Sequence, residues 1–361
     1  MSGSILAGHP PRLPRNGRRF LWECFASTPT NLVVSAAYVL LAALTLPPVI
    51  NWLFVQATFS GSDRSACNST GACWTFTKLY FGQFIYGRYP AGQRWRVDVA
   101  LLIVAICLVP FMRGARRITW KHVLLLVGVA PVCAGVLMAG GVLGLPVVSS
   151  DQWGGITLNL VLWFGAAAGS FLLGLLLALG RRSPLPVVRV VATAYIEFFR
   201  GVPLVTVLFA ASVMLPILLP AGTDSPKVLR ALVALLLFHA AYMAEVLRGG
   251  LQGISRGQYE AANSLGFAYW RSMALIILPQ ALRMVLPGII NVLIGLFQGT
   301  SLVTIIGLVD ALGVAKEASS DPNWLGLSWE SYIFVGIMFF VVCAVMSNYG
   351  HRLERRVRGA A

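Results

Sequence analysis

Runs of apolar residues about as long as a bilayer is thick recur along the whole chain, and they constrain its fold more than any motif does. A helix needs about 20 predominantly apolar residues to cross the hydrocarbon core. Uncharged or nearly uncharged stretches occupy 31–55, 99–112, 123–147, 156–180, 201–219, 231–247, 284–309 and 331–350. The second is short and borrows from Arg94 to Asp98, whose side chains can snorkel. The sixth contains His239 and ends against Glu245. Of the 361 residues only 11% are charged and 57% are hydrophobic. A soluble domain carries about 25% charged residues, so too little polar surface remains to clothe a water-soluble globule. The expected fold is an all-α integral membrane protein with about eight transmembrane helices.

Charge then sets sidedness. The chain carries a net charge of +15, which could suggest nucleic acid as a partner. No soluble stretch is long enough for a nucleic-acid module, and Lys and Arg instead gather at membrane ends. Counting alternate segments places 20 basic residues on one side, in both tails and in 113–122, 181–200 and 248–283, against 8 on the other. Both termini are therefore expected in the cytoplasm of a multi-pass protein. The long first outer loop, 56–98, holds five of the eight, and long loops cross with little regard for charge. The first apolar run is long and lacks a small-residue cleavage site, so no removable signal peptide is expected.

Six cysteines are present. Cys24, Cys107, Cys133 and Cys343 lie in or beside apolar runs, where cysteine behaves as a small hydrophobe. Cys67 and Cys73 share the outer loop, with no further Cys or His nearby to make a metal set. In an oxidising compartment they can pair; the sequence leaves them paired or free. No metal site is expected.

Polar features are unevenly distributed. Residues 1–150 hold three expected spans and the long loop, and nothing that carries chemistry. "SSDQWGG" marks the join, with Trp153 where a helix enters the membrane. Residues 151–350 hold five spans, and 351–361 form a basic tail. Between the sixth and seventh spans lies "QYEAANSLGFAYWRSMALIILPQALR", an amphipathic passage on the cytoplasmic side by the charge count. Gly257 precedes good helix formers, Gln258, Glu260, Ala261, Ala262 and Leu265, and Gly266 suits a C-cap. A second helical segment with Trp270, Met273, Ile277 and Leu278 is expected to end at Pro279. Two alanines let another surface approach the backbone, and Glu260 offers one fixed charge. The same composition also suits a helix resting on the lipid interface.

Spacing separates the two readings. Glu260-Ala261-Ala262, then Gly266, then Ile276-x-Leu278-Pro279 resembles the signature loop of permease subunits in bacterial ATP-binding-cassette importers. "YIEFFRGVPL" (195–204), "AAYMAEVLRGGLQGISRGQ" (240–258), "TSLVTIIGL" (300–308) and "LLALGRRS" (176–183) resemble the polar amino-acid branch of that family. The three extra N-terminal spans further resemble its general L-amino-acid permeases. The resemblance implies a type I importer transmembrane domain over 151–350, in a bacterial inner membrane. It implies no enzyme activity and no cofactor in this chain. ATP and magnesium would be held by two copies of a separate ATPase, which would grip Gly257, Glu260, Ala261, Ala262, Gly266 and Pro279. A second permease, a paralogue, and a periplasmic amino-acid-binding protein would complete the assembly in the lipid bilayer. No G-x-x-x-x-G-K-[ST] phosphate loop occurs here, in keeping with that division of labour. One departure stands out: that branch commonly reads Lys-Asp before "TSL", and this chain has Gln298-Gly299.

Other polar positions have two readings each. Glu197 with Arg200, and Glu245 with Arg248, are spaced three apart as local helical ion pairs, or serve a gate or cytoplasmic contact. His239 joins helices by a hydrogen bond, or handles substrate or protons. Asn291, Gln298, Thr300 and Ser301 line a polar path, or in the case of Asn291 and Thr300 act as intramembrane glue. An ion-coupled secondary transporter is the alternative function; it wants acidic or His residues deep in several spans, and only His239 fits. A membrane enzyme wants Asp, His or Cys clustered at one face, a pattern the sequence lacks.

Overall fold

The computed structural model describes residues 25, 28–68, 70–112, 122, 125–142, 144–218, 220, 225–324 and 326–358. Cys24, the arginines of the N-terminal tail and the basic residues of 113–121 lie outside them. The described residues divide into two compact units between Thr75 and Phe76. The division expected at 150/151 follows motifs; the compact units follow packing, and residues 76–150 belong with the C-terminal helices.

In the first unit, α1 (Pro29–Ile50) continues through a π turn, Asn51–Val55. Thr28 caps it, its hydroxyl accepting from the Asn31 amide at 3.2 Å, and Pro29 suits the first turn because its missing N–H would be unpaired there anyway. None of α1 is buried, as befits a span surrounded by lipid. Beyond it, Cys67 and Cys73 form a disulfide that closes a small polar loop.

The second unit begins at Phe76, inside α2 (Trp74–Tyr86), and continues with α3 (Arg94–Met112) and α4 (Ala130–Ala139), α4 being preceded by a π turn at Leu125–Val129. The stretch expected to span over 123–147 stops being helical at Ala139. Gly140 and Gly141 take φ of +74° and +77°, and the chain folds back so that the Val148 amide bonds the Ala139 carbonyl at 2.8 Å. Wholly buried Arg96 holds this turn, donating to the carbonyls of Leu137 (2.6 Å), Pro146 (2.9 Å) and Met138 (3.2 Å).

At the centre, α5 (Gly155–Arg181) packs along α8 (Lys227–Gly253). Small residues permit the approach: a Cβ on Gly169 would lie 2.1 Å from Leu236 Cδ1, and one on Gly174 would lie 2.8 Å from Met243 Cβ. Gly155 has φ +60°, and a Cβ there would meet the Phe84 carbonyl at 2.6 Å, which fixes how α2 crosses the start of α5. More than half of the apolar stretch of α8 is buried, against none of α1, so α8 is the core helix.

Between them run α6 (Pro186–Gly201) and α7 (Leu204–Leu218), bent by 104°. The span expected over 201–219 is thus one arm of a broken pair. Pro203 disfavours helix at Val202, which sits extended at φ −100°, ψ 137°. After the short α9 (Arg256–Ser264) comes a 38-residue helical run, Tyr269–Ile306. It comprises α10 (Tyr269–Ser272), a π turn at Met273–Ile277, α11 (Leu278–Gly299) and a 3₁₀ segment at Thr300–Ile306. Pro279 therefore does not end a helix as expected. The π turn ahead of it widens the backbone where the proline ring would otherwise strike the preceding turn. Finally α12 (Ala311–Ser319) and α13 (Ser328–Arg358) close the unit.

Five helices among the described residues are long and apolar enough to cross a membrane, or six counting the bent pair. These match six of the eight expected spans. The other two correspond to α3, with 19 residues, and to the ten-residue α4 with its π turn.

Candidate functional site

α9 projects between two spans and is anchored on one face only. Ala262 is buried, whereas Gly257, Glu260, Ala261 and Gly266 are exposed. Gly266 at φ +74° terminates the helix, with its amide bonding the Asn263 carbonyl at 2.9 Å and the Phe267 amide bonding Ala262 at 3.1 Å. That left-handed residue is the reason for a glycine there. Two anchors hold the helix: Gln280 Nε2 donates to Gln258 Oε1 at 3.0 Å, and the Arg182 guanidinium donates to the Leu251 carbonyl at 2.9 Å and the Tyr259 hydroxyl at 3.3 Å. Pro279 is exposed one residue before Gln280. The result is a short helix with a small-residue outer face on which Glu260 follows exposed Arg256 by one turn.

Beside it, α5, α6 and α8 end in one cluster of charge. Glu245 Oε2 accepts from Arg248 at 2.8 Å and lies 3.7 Å from Arg200, while Glu245 Oε1 bonds Arg181. Arg181 also bonds Glu197 at 2.9 Å. The local pair Glu245–Arg248 forms as spaced, but Glu197 and Arg200 do not pair with each other. Each reaches across to another helix, because α6 turns both side chains toward the ends of α5 and α8. Arg181 is the hub that sequence reasoning missed; it stood in the basic "GRR" and counted only as a membrane-end charge.

Asn291, Gly295 and Gln298 are all exposed and fall at four- and three-residue intervals, so they share one face of α11. Ser301 continues that face, its hydroxyl donating to the Gln298 carbonyl at 2.8 Å. Thr300 does not belong to it. It is wholly buried, donating to the Phe297 carbonyl at 2.6 Å and accepting from Asn159 Nδ2 at 3.0 Å.

Thr300 belongs instead to a buried node at the other end of the helices. Asp310 accepts from Asn159 at 2.9 Å, from the Gly313 amide at 3.0 Å and from the Thr304 hydroxyl. Asn159 Oδ1 in turn accepts from the Ala311 amide at 3.1 Å. Burial pushes the Asp310 carboxyl above its ordinary value, against the downward pull of these donors. A lone Asn inside an apolar run was the available signal, and Asn159 was passed over.

His239 is buried in α8 with Nδ1 2.9 Å from the Leu235 carbonyl, one turn back on its own helix. A Cβ on Gly299 would lie 2.9 Å from Leu204 Cδ2 and 3.5 Å from His239 Cε1. The space beside position 299 is thus filled from α7 and α8, which accounts for a glycine there.

The family of binding-protein-dependent transport system inner membrane components matches residues 170–359. Over 98% of its length the chain is 44% identical to the inner membrane amino-acid ABC transporter permease protein YhdY of Escherichia coli, covering 97% of that protein. It is 35% identical to the glutamate/glutamine/aspartate/asparagine transport system permease protein BztC of Rhodobacter capsulatus, again over 98% and 97% of the two chains. Among solved structures it is similar to an amino acid ABC transporter crystallised with histidines. That match has 32% identity and a TM-score of 0.50, and it covers 56% of this chain and 91% of that one.

Proposed function

Because the chain belongs to the family of binding-protein-dependent transport system inner membrane components, we propose that it is a permease subunit that moves L-amino acids across a bacterial cytoplasmic membrane. ATP hydrolysis falls to a separate subunit. A substrate-binding protein and a second permease complete the importer, with two ATPase copies and a paralogous permease as the stoichiometry. ATP and magnesium sit on the ATPase. Both termini and α9 lie in the cytoplasm, as the distribution of 20 against 8 basic residues supports. Residues 151–350 act as the transporting domain, residues 1–150 as a membrane extension and 351–361 as a basic tail. The match to binding-protein-dependent permeases weighs against ion-coupled transport.

The observation that carries this reading is α9 itself: a rigid helix between two spans, anchored by Gln258 and Tyr259, presenting Glu260, Ala261 and Gly266 outward. Such a helix can be gripped and displaced without unfolding. ATP drives the switch only if the ATPase contacts differ between inward- and outward-open states. Displacement of α9 reaches the spans through Arg182, which ties it to α5, and through the helical run beginning at Tyr269. The face formed by exposed Asn291 and Gln298 with half-buried Ser301 offers hydrogen bonds but no fixed charge, which suits passage of diverse zwitterions.

Glu260→Lys tests the assignment. The variant is expected to reach the membrane at wild-type levels, since Glu260 is exposed, and to lose ATP-driven uptake of radiolabelled amino acids. Wild-type uptake by this variant would remove α9 as the coupling element.

A further inference from the structure

We propose that the half-open cavity between α3, α4, α5 and the start of α8 is a binding site for one acyl chain of a phospholipid. Its volume is about 710 Å³. It exists because its wall is built from small residues, Ala100, Ala134, Gly135 and Gly165 among them. A Cβ on Gly135 would meet nothing within 4 Å. One end is closed by the turn after α4, with Gly140, Val147 and Val148 in the wall. That turn is the one pinned by buried Arg96. The end wall is therefore constructed rather than left by loosely packed helices.

The wall chemistry selects the occupant. Among the described residues no charged side chain lines the cavity, so a zwitterionic amino acid would lose its hydration and gain no ion partner from them. Water fills such a space poorly: apolar cavities of about 150 Å³ stay dry and accept apolar ligands. The rim carries Val132, Val147 and Leu229, at 64%, 77% and 51% exposure, so the opening is apolar and faces hydrocarbon. Among the described residues the wall's hydroxyl side chains are Ser149 and Ser150, set together at one end where the ester at the head of an acyl chain would lie. Trp153 lies just ahead of α5 and Leu229 in the first turn of α8, so the lipid belongs to the leaflet opposite α9.

The full-length chain, purified with its partner subunits and stripped of loosely held lipid, can be weighed by native mass spectrometry. Wild type is expected to retain one phospholipid per chain. Gly135→Phe, which fills the cavity from a position with open space, is expected to lose it. Equal retention by wild type and Gly135→Phe overturns the proposal, and so does detergent or a free fatty acid as the retained species. Should Gly135→Phe fail to assemble, a density map of wild type in phospholipid nanodiscs decides. Acyl-chain density inside the cavity supports the site, and a cavity without it overturns the site.

Discussion

The two ends of α5 are fastened by opposite means. Near α9, Arg181, Arg200 and Arg248 converge on Glu245, with Glu197 on the flank at 56% side-chain exposure. At the other end Asn159, Thr300 and Asp310 are fully buried, and every oxygen of the Asp310 carboxylate accepts a hydrogen bond. Exposed pairs such as Arg181–Glu197 contribute little, commonly about 0–1 kcal/mol, because water replaces a lost partner. Glu245, at 18% side-chain exposure, has three arginines around it, so the loss of one leaves two. Unpairing a buried polar group costs about 1–3 kcal/mol, because nothing replaces it. α5 is thus cheaper to part from its neighbours at the end beside α9 than at the other, where Asn159 joins it to Thr300 and Asp310. On the proposed coupling through α9, the buried node would act as the pivot and the charge cluster as the latch.

Breaking the pivot is expected to have the largest effect. Asp310→Ala leaves the Asn159 and Thr304 donors unpaired and should destabilise the chain by about 3 kcal/mol, read as a lowered midpoint of thermal unfolding in detergent. Asp310→Asn is expected to fare little better despite its shape. Its NH₂ would face the Asn159 NH₂, whose own oxygen is committed to the Ala311 amide. An isosteric variant with wild-type stability would show that the node is not a pivot.

The latch is expected to respond in the opposite sense. Glu245→Gln, whose amide oxygen still accepts from the arginines, should lower stability by about 1–2 kcal/mol, yet raise ATP hydrolysis in the absence of amino acid, because the resting state is no longer held. Exchanging charges as Arg181→Glu with Glu245→Arg is expected to restore part of the coupling. A latch variant that loses stability as heavily as Asp310→Ala would erase the distinction between the two ends.

The smallest effect is expected where α2 meets the segment after α12. Tyr80 bonds Asp321; burial and this carboxylate push its hydroxyl up to about 12, and the bond holds Asp321 below its ordinary value. The Asp321 contribution is present above the ordinary carboxylate range and lost as pH falls through the lowered value. The Tyr80 contribution is present below the ordinary tyrosine value and lost as pH rises through about 12. The difference in unfolding midpoint between wild type and Tyr80→Phe is therefore expected to stay flat over about pH 5–9. It should shrink only outside that window.

The membrane class and six of the spans could be read from the sequence because hydropathy over about 20 residues reports directly on the solvent around a helix. The extended turn after Ala139 could not, since residues 140–147 are as apolar as a span and only Gly140-Gly141 betrays the reversal. The exposed face of α9 was legible from Glu260, Ala261 and Gly266, whose chemistry is local. The latch and the pivot were not. Arg181 meets Glu245 across 64 positions, and Asn159 meets Asp310 across 151, and pairings at such distances depend on how helices pack rather than on any spacing along the chain.

Cross-linking at Ala261 tests the central idea, that α9 is a cytoplasmic handle, most directly. With Ala261→Cys in the assembled importer, a bifunctional thiol reagent applied from the cytoplasmic face is expected to join this chain to the ATPase. Amino-acid-stimulated ATP hydrolysis should then be lost and return when a cleavable linker is reduced. Labelling of position 261 from the outer face, or stimulation undisturbed by a complete cross-link, would contradict it.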